Sequence, residues 1–129
     1  MTRAVLLLLL VLSAPALALD CGRQQTEGAA RQCSGQRLRE ADRTLNQTYT
    51  ALLKRFSAPQ QTMLRASERA WVAYRDAQCK MVASGVDGGS AQPMVTADCL
   101  GDLTSARVKE LNYQLTCQEG DMTCLAPKN

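Results

Sequence analysis

One stretch of the sequence concentrates the side chains that could do chemistry. Residues 64–79 read LRASERAWVAYRDAQC and contain the only tryptophan of the chain, Trp71. The stretch supplies an indole N–H, a guanidinium that can stack on the indole ring, and a nearby acid. Together these groups can form either a ligand-binding cleft or a network between helices. At spacings of three and four residues, one face of a helix would carry Leu64, Glu68, Trp71, Arg75 and Cys79.

Polar residues on other predicted helices could complete this arrangement. Each charge then has an opposite partner on a neighbouring helix, and charges inside a small bundle need such partners to offset the loss of hydration. We therefore interpret the set as a structural polar network, and the alternative is a cleft that binds a ligand. The proposed members are Asp42, Asn46, Glu68, Trp71, Arg75 and Arg107.

The sequence lacks the residue sets that are typical of catalytic sites. It has no histidine, which is the commonest general base and a frequent metal ligand. It has no glycine-rich phosphate loop and no serine nucleophile motif. The cysteine spacings also lack the close C-x-x-C pairs of zinc sites. We predict a protein that is not an enzyme and that uses no cofactor and no metal.

The first 18 residues have the features of a secretory signal peptide. Arg3 precedes an apolar run at residues 4–12, and Ala16 and Ala18 supply small residues before a cleavage site. The run is shorter than the roughly 20 residues of a membrane anchor. Cys21 follows Asp20, whereas a lipidated cysteine follows a small residue. We predict cleavage after Ala18 and a periplasmic or secreted domain over residues 19–129, with no membrane span.

Charge and cysteine content limit the partners and the compartment. Without Arg3, 14 basic and 12 acidic residues leave a net charge of +2, which is too mild to indicate a nucleic-acid partner. Six cysteines in a small secreted domain indicate three disulfides. Cys79 and Cys99 would lie at facing ends of consecutive antiparallel helices, Cys117 and Cys124 are close in sequence, and Cys21 and Cys33 are the two that remain. The pairing we predict, one of many possible, is Cys79–Cys99, Cys117–Cys124 and Cys21–Cys33.

Composition and apolar spacing predict an all-α fold. We expect a small disulfide-stapled antiparallel bundle of three main helices plus a short N-terminal helix. The short helix covers residues 26–32 and ends at a break at Ser34-Gly35. The main helices cover about residues 36–56, 59–83 and 99–117, and Thr96 or Asp98 caps the last one.

The loop predicted between the last two helices, residues 84–98, is rich in Gly, Ser and Pro. Its glycines permit a left-handed backbone at the tip, and a Cys79–Cys99 bridge would present that tip from a fixed base. The alternative is a solvated connector. The candidate binding residues are Asp87, Gly88, Gly89 and Ser90.

Several segments together resemble the family of the N-terminal domain of the mycobacterial lysozyme-inhibitor lipoprotein LprI, formerly a domain of unknown function. They are DC at residues 20–21, ADRTLNQTY at 41–49, LRASERAWVAYRDAQC at 64–79, GGS at 88–90 and LTSARVKEL at 103–111. The chain departs from the family pattern at Glu68, where Gln is usual, and Cys117 and Cys124 are additional.

This resemblance implies a secreted or periplasmic helical domain that inhibits lysozyme or another peptidoglycan hydrolase. The loop at residues 88–90 would then contact the enzyme. The alternative is an envelope domain without inhibitory activity, which binds a small ligand or another envelope protein through the Trp71 face. Common lysozymes are strongly basic, so an inhibitor gains from acidic complementarity, whereas the chain as a whole is slightly basic.

Overall fold

Three long helices dominate the computed structural model, which describes residues 20–127. They are α1 (Glu27–Arg55), α2 (Ala58–Ala83) and α3 (Gln92–Thr116), with single-turn 3-10 helices at Cys21–Arg23 and Ser84–Val86. This range contains no strand, so the predicted all-α class and its three main helices are confirmed. No helix within it has the length and apolar character needed to cross a bilayer. The predicted signal peptide, residues 1–18, lies outside the described residues.

The short N-terminal helix that the sequence predicts is the first part of helix α1, not a separate helix. Thr26 caps it, since its hydroxyl accepts a hydrogen bond from the N–H of Ala29 at 3.1 Å. The helix then continues through Ser34 and Gly35, so the predicted break is wrong. Ser34 is fully buried and its hydroxyl donates to the Ala30 carbonyl at 3.0 Å. Burial therefore keeps this segment helical despite its low intrinsic propensity.

Helix α3 begins earlier than the sequence predicts. It starts at Gln92, and Pro93 lies in its first turn, where the missing N–H needs no partner. Thr96 is inside the helix and donates to the Gln92 carbonyl at 2.8 Å. Neither Thr96 nor Asp98 is therefore the cap, and Ala91 occupies that position without a side-chain hydrogen bond. The connection between α2 and α3 shortens to residues 84–91.

Helices α1 and α3 run parallel and pack most closely. In their first halves, a side-chain carbon on Gly101 would lie 3.6 Å from the Cα of Leu38, an ordinary van der Waals distance, so the two backbones approach closely there. Near their ends, Arg55 donates to the Leu115 carbonyl at 2.7 Å.

Helix α2 runs antiparallel to the other two. Gln61 near its start donates to the carbonyl of Leu53 near the end of α1, at 2.8 Å. Cys79 near its end is bridged to Cys99 near the start of α3. Helix α2 packs on α3 and leaves an open groove toward α1.

The apolar core lies toward the end of the bundle where α1 ends and α2 begins. Trp71 and Tyr49 pack partly buried against it. Apolar spacing along α2 also predicts Tyr74 and Met81 on its inward stripe, but they are 56% and 62% exposed. They lie on the flank of that stripe. The buried members of the core are Leu45, Leu52, Phe56, Leu64 and Leu111.

Three disulfides connect the elements, in the pairing that the sequence favours. One ties the first 3-10 helix to α1, one ties α2 to α3 below the loop, and one closes the segment after α3. They are Cys21–Cys33, Cys79–Cys99 and Cys117–Cys124, with Cα–Cα distances of 5.5, 5.5 and 5.6 Å. All three distances lie in the range usual for disulfide bridges.

Candidate functional site

Trp71 is the centre of a polar cluster between the helices. Its ring is half-buried on α2. The Arg75 guanidinium lies 5.2 Å from the ring centroid, and the Arg107 guanidinium, from α3, lies 5.8 Å from it. Both distances allow cation–π attraction. Two arginines from two helices therefore hold the ring in place.

Arg107 joins α3 to α2 through a shielded ion pair. It donates to Glu68 at 3.1 Å, to the Ser67 hydroxyl at 2.9 Å and to Glu110 at 3.0 Å. The side chains of Arg107 and Glu68 are only 12% and 17% exposed. Such a shielded pair fixes the register of two helices, because removing either partner leaves the other charge poorly solvated.

Arg75 contacts both other helices. Its Nη1 lies 3.4 Å from Asp42 on α1 and 3.4 Å from the Thr104 hydroxyl on α3, and its Nε donates to Asp76 at 2.9 Å. Thr104 is fully buried, and the sequence analysis did not include it. Its position three residues before Arg107 and seven before Leu111, on the inward face of α3, is the signal that could have found it.

The structure brings together five of the six predicted network residues. We refer to them with Thr104 as the Trp71 cluster: Asp42, Glu68, Trp71, Arg75, Arg107 and Thr104. Asn46 does not join it, because its exposed side chain forms no hydrogen bond with a described residue. It lines the groove between α1 and α2, which has a volume of about 620 Å³ and which the cluster members Asp42, Glu68, Trp71 and Arg75 also line.

The predicted binding residues Asp87, Gly88, Gly89 and Ser90 are all exposed at the connection between α2 and α3. Gly88 has a φ of +71°, a conformation that favours glycine. The Gln92 side chain accepts from the Gly88 N–H at 3.1 Å and donates to Asp87 at 2.8 Å. This contact could not be predicted from the sequence, because residue 92 was expected in the loop. The tip is therefore a turn held by its own hydrogen bonds.

The loop and the Trp71 cluster are separate regions. Along α2, the eight helical steps from Arg75, the cluster residue of that helix nearest to the loop, to Ala83 span roughly 12 Å. Within residues 20–127 no hydrogen bond or ion pair joins the loop tip, residues 87–90, to the cluster.

Charges are divided unevenly between the helices. Residues 27–83, which form α1 and α2, contain ten basic and five acidic residues. Residues 84–127, which contain α3, hold six acidic and only two basic residues. Asp98 and Asp102 near the loop pair with Arg37 of α1. The α3 side is therefore acidic although the whole chain is slightly basic.

A second hydrogen-bonded turn follows α3. The Tyr113 hydroxyl donates to Asp121, which also accepts from the Thr123 N–H at 2.9 Å. The bond from Tyr113, together with that from Thr123, lowers the pKa of Asp121, and the same Tyr113–Asp121 bond raises the pKa of Tyr113. Among the residues the structure describes, no cluster of acidic or cysteine side chains is placed to hold a metal ion.

Comparisons with known proteins agree with the sequence resemblance. The model of the family described as Lysozyme inhibitor LprI matches residues 21–111. The match ends before Cys117, so the third disulfide lies outside it. An uncharacterized protein of Rhizobium meliloti (strain 1021) is 33% identical, over 87% of this chain and 93% of that protein. No solved structure matches the chain.

Proposed function

The chain belongs to the LprI lysozyme inhibitor family, and from this membership we propose that it inhibits a lysozyme-type peptidoglycan hydrolase. The observation that carries the proposal is the family match over residues 21–111, which includes the loop and the whole Trp71 cluster. The family is one of inhibitors, which act by binding rather than by catalysis. The proposed partner is therefore the hydrolase itself.

We propose the loop at Asp87, Gly88, Gly89 and Ser90 as the contact with the enzyme. Its four residues are exposed, and the Gln92 side chain fixes the tip from within. The Cys79–Cys99 bridge fixes the base. A loop already held in one shape loses less conformational entropy when it binds, which favours affinity.

The charge distribution supports an acidic contact surface. Common lysozymes are basic, and three of the six acids of residues 84–127 lie in the loop or in the first half of α3: Asp87, and Asp98 and Asp102, which share Arg37. Complementary charge accelerates encounter and orients the partners. The net charge of the chain hides this surplus because α1 and α2 carry the compensating arginines and lysines.

The proposal also includes an extracytoplasmic location. Residues 1–18 would be a cleaved signal peptide, and residues 19–129 would form one domain in the periplasm or outside the cell. The three disulfides support this location, because such bonds persist in oxidising compartments.

A lysis assay tests the inhibition. Oxidised protein lacking residues 1–18 is mixed with c-type and g-type animal lysozymes and with a bacterial peptidoglycan hydrolase, and the clearing of a cell-wall suspension is followed. We expect the rate to fall in a saturable manner at micromolar protein. Reduced and alkylated protein is the control and should inhibit less. Unchanged lysis by every enzyme at micromolar excess would reject the proposal and favour an envelope-binding domain without inhibitory activity.

A further inference from the structure

The groove between α1 and α2 is separate from the loop, and we propose that it binds a small ligand that carries a carboxylate. Its volume of about 620 Å³ is within the range of small-molecule sites. It is lined from α1 by Asn46 and Tyr49, and from α2 by Arg65, Arg69 and Trp71.

Two arginines on the α2 side of the groove have guanidinium groups that are free to bind. Arg69 is exposed and forms no hydrogen bond or ion pair with any described residue. Arg65 has only a long contact of 3.5 Å with Gln61. The two are four residues apart and therefore lie on the same face of α2. A guanidinium matches a carboxylate with two parallel hydrogen bonds.

Uncharged donors in the groove are free as well. The side-chain amide of Asn46 and the hydroxyl of Tyr49 form no hydrogen bond with a described residue, nor does the indole N–H of Trp71. The indole N–H has no hydrogen-bond partner among the described residues but is not fully buried, so solvent reaches it. These groups suit neutral acceptors such as hydroxyl or amide oxygens on the same ligand.

Two carboxylates, Asp42 and Glu68, also line the groove, and both are already paired. Asp42 lies 3.4 Å from Arg75, and Glu68 lies 3.1 Å from Arg107. An anionic ligand would therefore meet free cations and free donors rather than free carboxylates. A ligand with a single carboxylate flanked by neutral oxygens fits these cations and donors. An acidic amino sugar and a peptide C-terminus both have this arrangement.

The position of Trp71 makes the binding measurable without a label. It is the only tryptophan of the chain and it lines the groove, so its fluorescence reports on occupancy. The probes are N-acetylmuramic acid with its counterpart lacking the carboxylate, N-acetylglucosamine, and N-acetyl-alanyl-alanine with its C-terminal amide. We expect a saturable change with at least one acid and none with its uncharged counterpart. The acid that saturates identifies the source of the carboxylate.

A matched pair of variants assigns the binding to the groove. Arg69→Gln removes a free guanidinium that has no structural contact, so the fold is retained, and the apparent affinity should fall about tenfold. Arg31→Gln makes the same change at an exposed position of α1 outside the groove and should leave the affinity unchanged. The proposal is overturned if neither acid saturates, if the uncharged probes bind equally, or if the two variants bind alike. No hydrolase is present, so the outcome is independent of the lysis assay.

Discussion

The Trp71 cluster and the loop at residues 84–91 are both polar, but their hydrogen bonds run in different directions. In the cluster, Arg75 and Arg107 bond to side chains of other helices. In the loop, Gln92 bonds to Asp87 and Gly88, four or five residues away. Bonds between helices stabilise the bundle, whereas bonds within a turn fix its shape and leave its outer surface free. The difference supports our proposal that the cluster stabilises the fold and that the loop contacts the hydrolase.

The largest expected effect comes from the disulfide that lies between the two regions. Replacing both partners, Cys79→Ser with Cys99→Ser, should lower the free energy of unfolding by about 3 kcal/mol on the chain-entropy model. It should also weaken inhibition, because the loop loses its fixed base. Urea denaturation measures the first effect and the lysis assay the second. Stability equal to that of the unaltered protein would show that the bridge does not constrain the bundle.

A smaller effect is expected at the centre of the cluster. Arg107→Ala leaves the shielded Glu68 carboxylate without its partner and should cost about 2 kcal/mol of unfolding free energy. Lys109→Ala, a loss of charge at an exposed position of the same helix, should cost less than about 0.5 kcal/mol. Both proteins should inhibit equally at temperatures where they are folded. Loss of inhibition by Arg107→Ala without loss of stability would reverse the assignment of the two regions.

The loop should respond in the opposite way. Gly88→Ala places a side chain at a φ of +71° and strains the tip by about 1 kcal/mol, so inhibition should weaken even at temperatures where the protein is fully folded. Gly85→Ala is the matched control, because a side chain there meets open space and the backbone is not left-handed. Equal inhibition by the two variants would remove the loop from the contact surface.

The smallest effect concerns the turn after α3. Like the loop, this turn is held by hydrogen bonds between residues close in sequence. The pKa of Asp121 is lowered in the folded protein, so its stabilising contribution is present above its unfolded pKa and is lost as the pH falls through the folded value. Acidification below about pH 4 should therefore loosen this turn. NMR signals of Tyr113 should follow the change, and Asp121→Asn should abolish it. An unaltered acid titration in Asp121→Asn would assign the change to another group.

Much of the fold follows from local sequence patterns, and the errors have physical causes. The spacing of apolar residues predicts the three helices. The expectation that consecutive helices are antiparallel predicts the Cys79–Cys99 bridge. The break expected at Ser34-Gly35 does not occur, because tertiary burial of Ser34 outweighs its propensity. The start of α3 is missed because proline and small residues resemble a loop even where they fill a first helical turn.

The Trp71 cluster is more predictable than the loop. Opposite charges on neighbouring helices must pair, so Glu68, Arg75 and Arg107 could be placed together from spacing alone. Asn46 lies outside the hydrogen-bonded cluster, and helical spacing alone does not say which edge of the helix faces a neighbour. The role of Gln92 depends on where α3 begins, so it could not be deduced once that boundary was wrong.

Amide hydrogen exchange can show which region contacts a hydrolase. The oxidised protein is measured alone and with an enzyme that it inhibits, at concentrations where inhibition is complete. We expect added protection at residues 84–91 and at the start of α3, with exchange at residues 64–79 unchanged. Protection at residues 64–79 with none in the loop would show that the Trp71 face is the inhibitory surface.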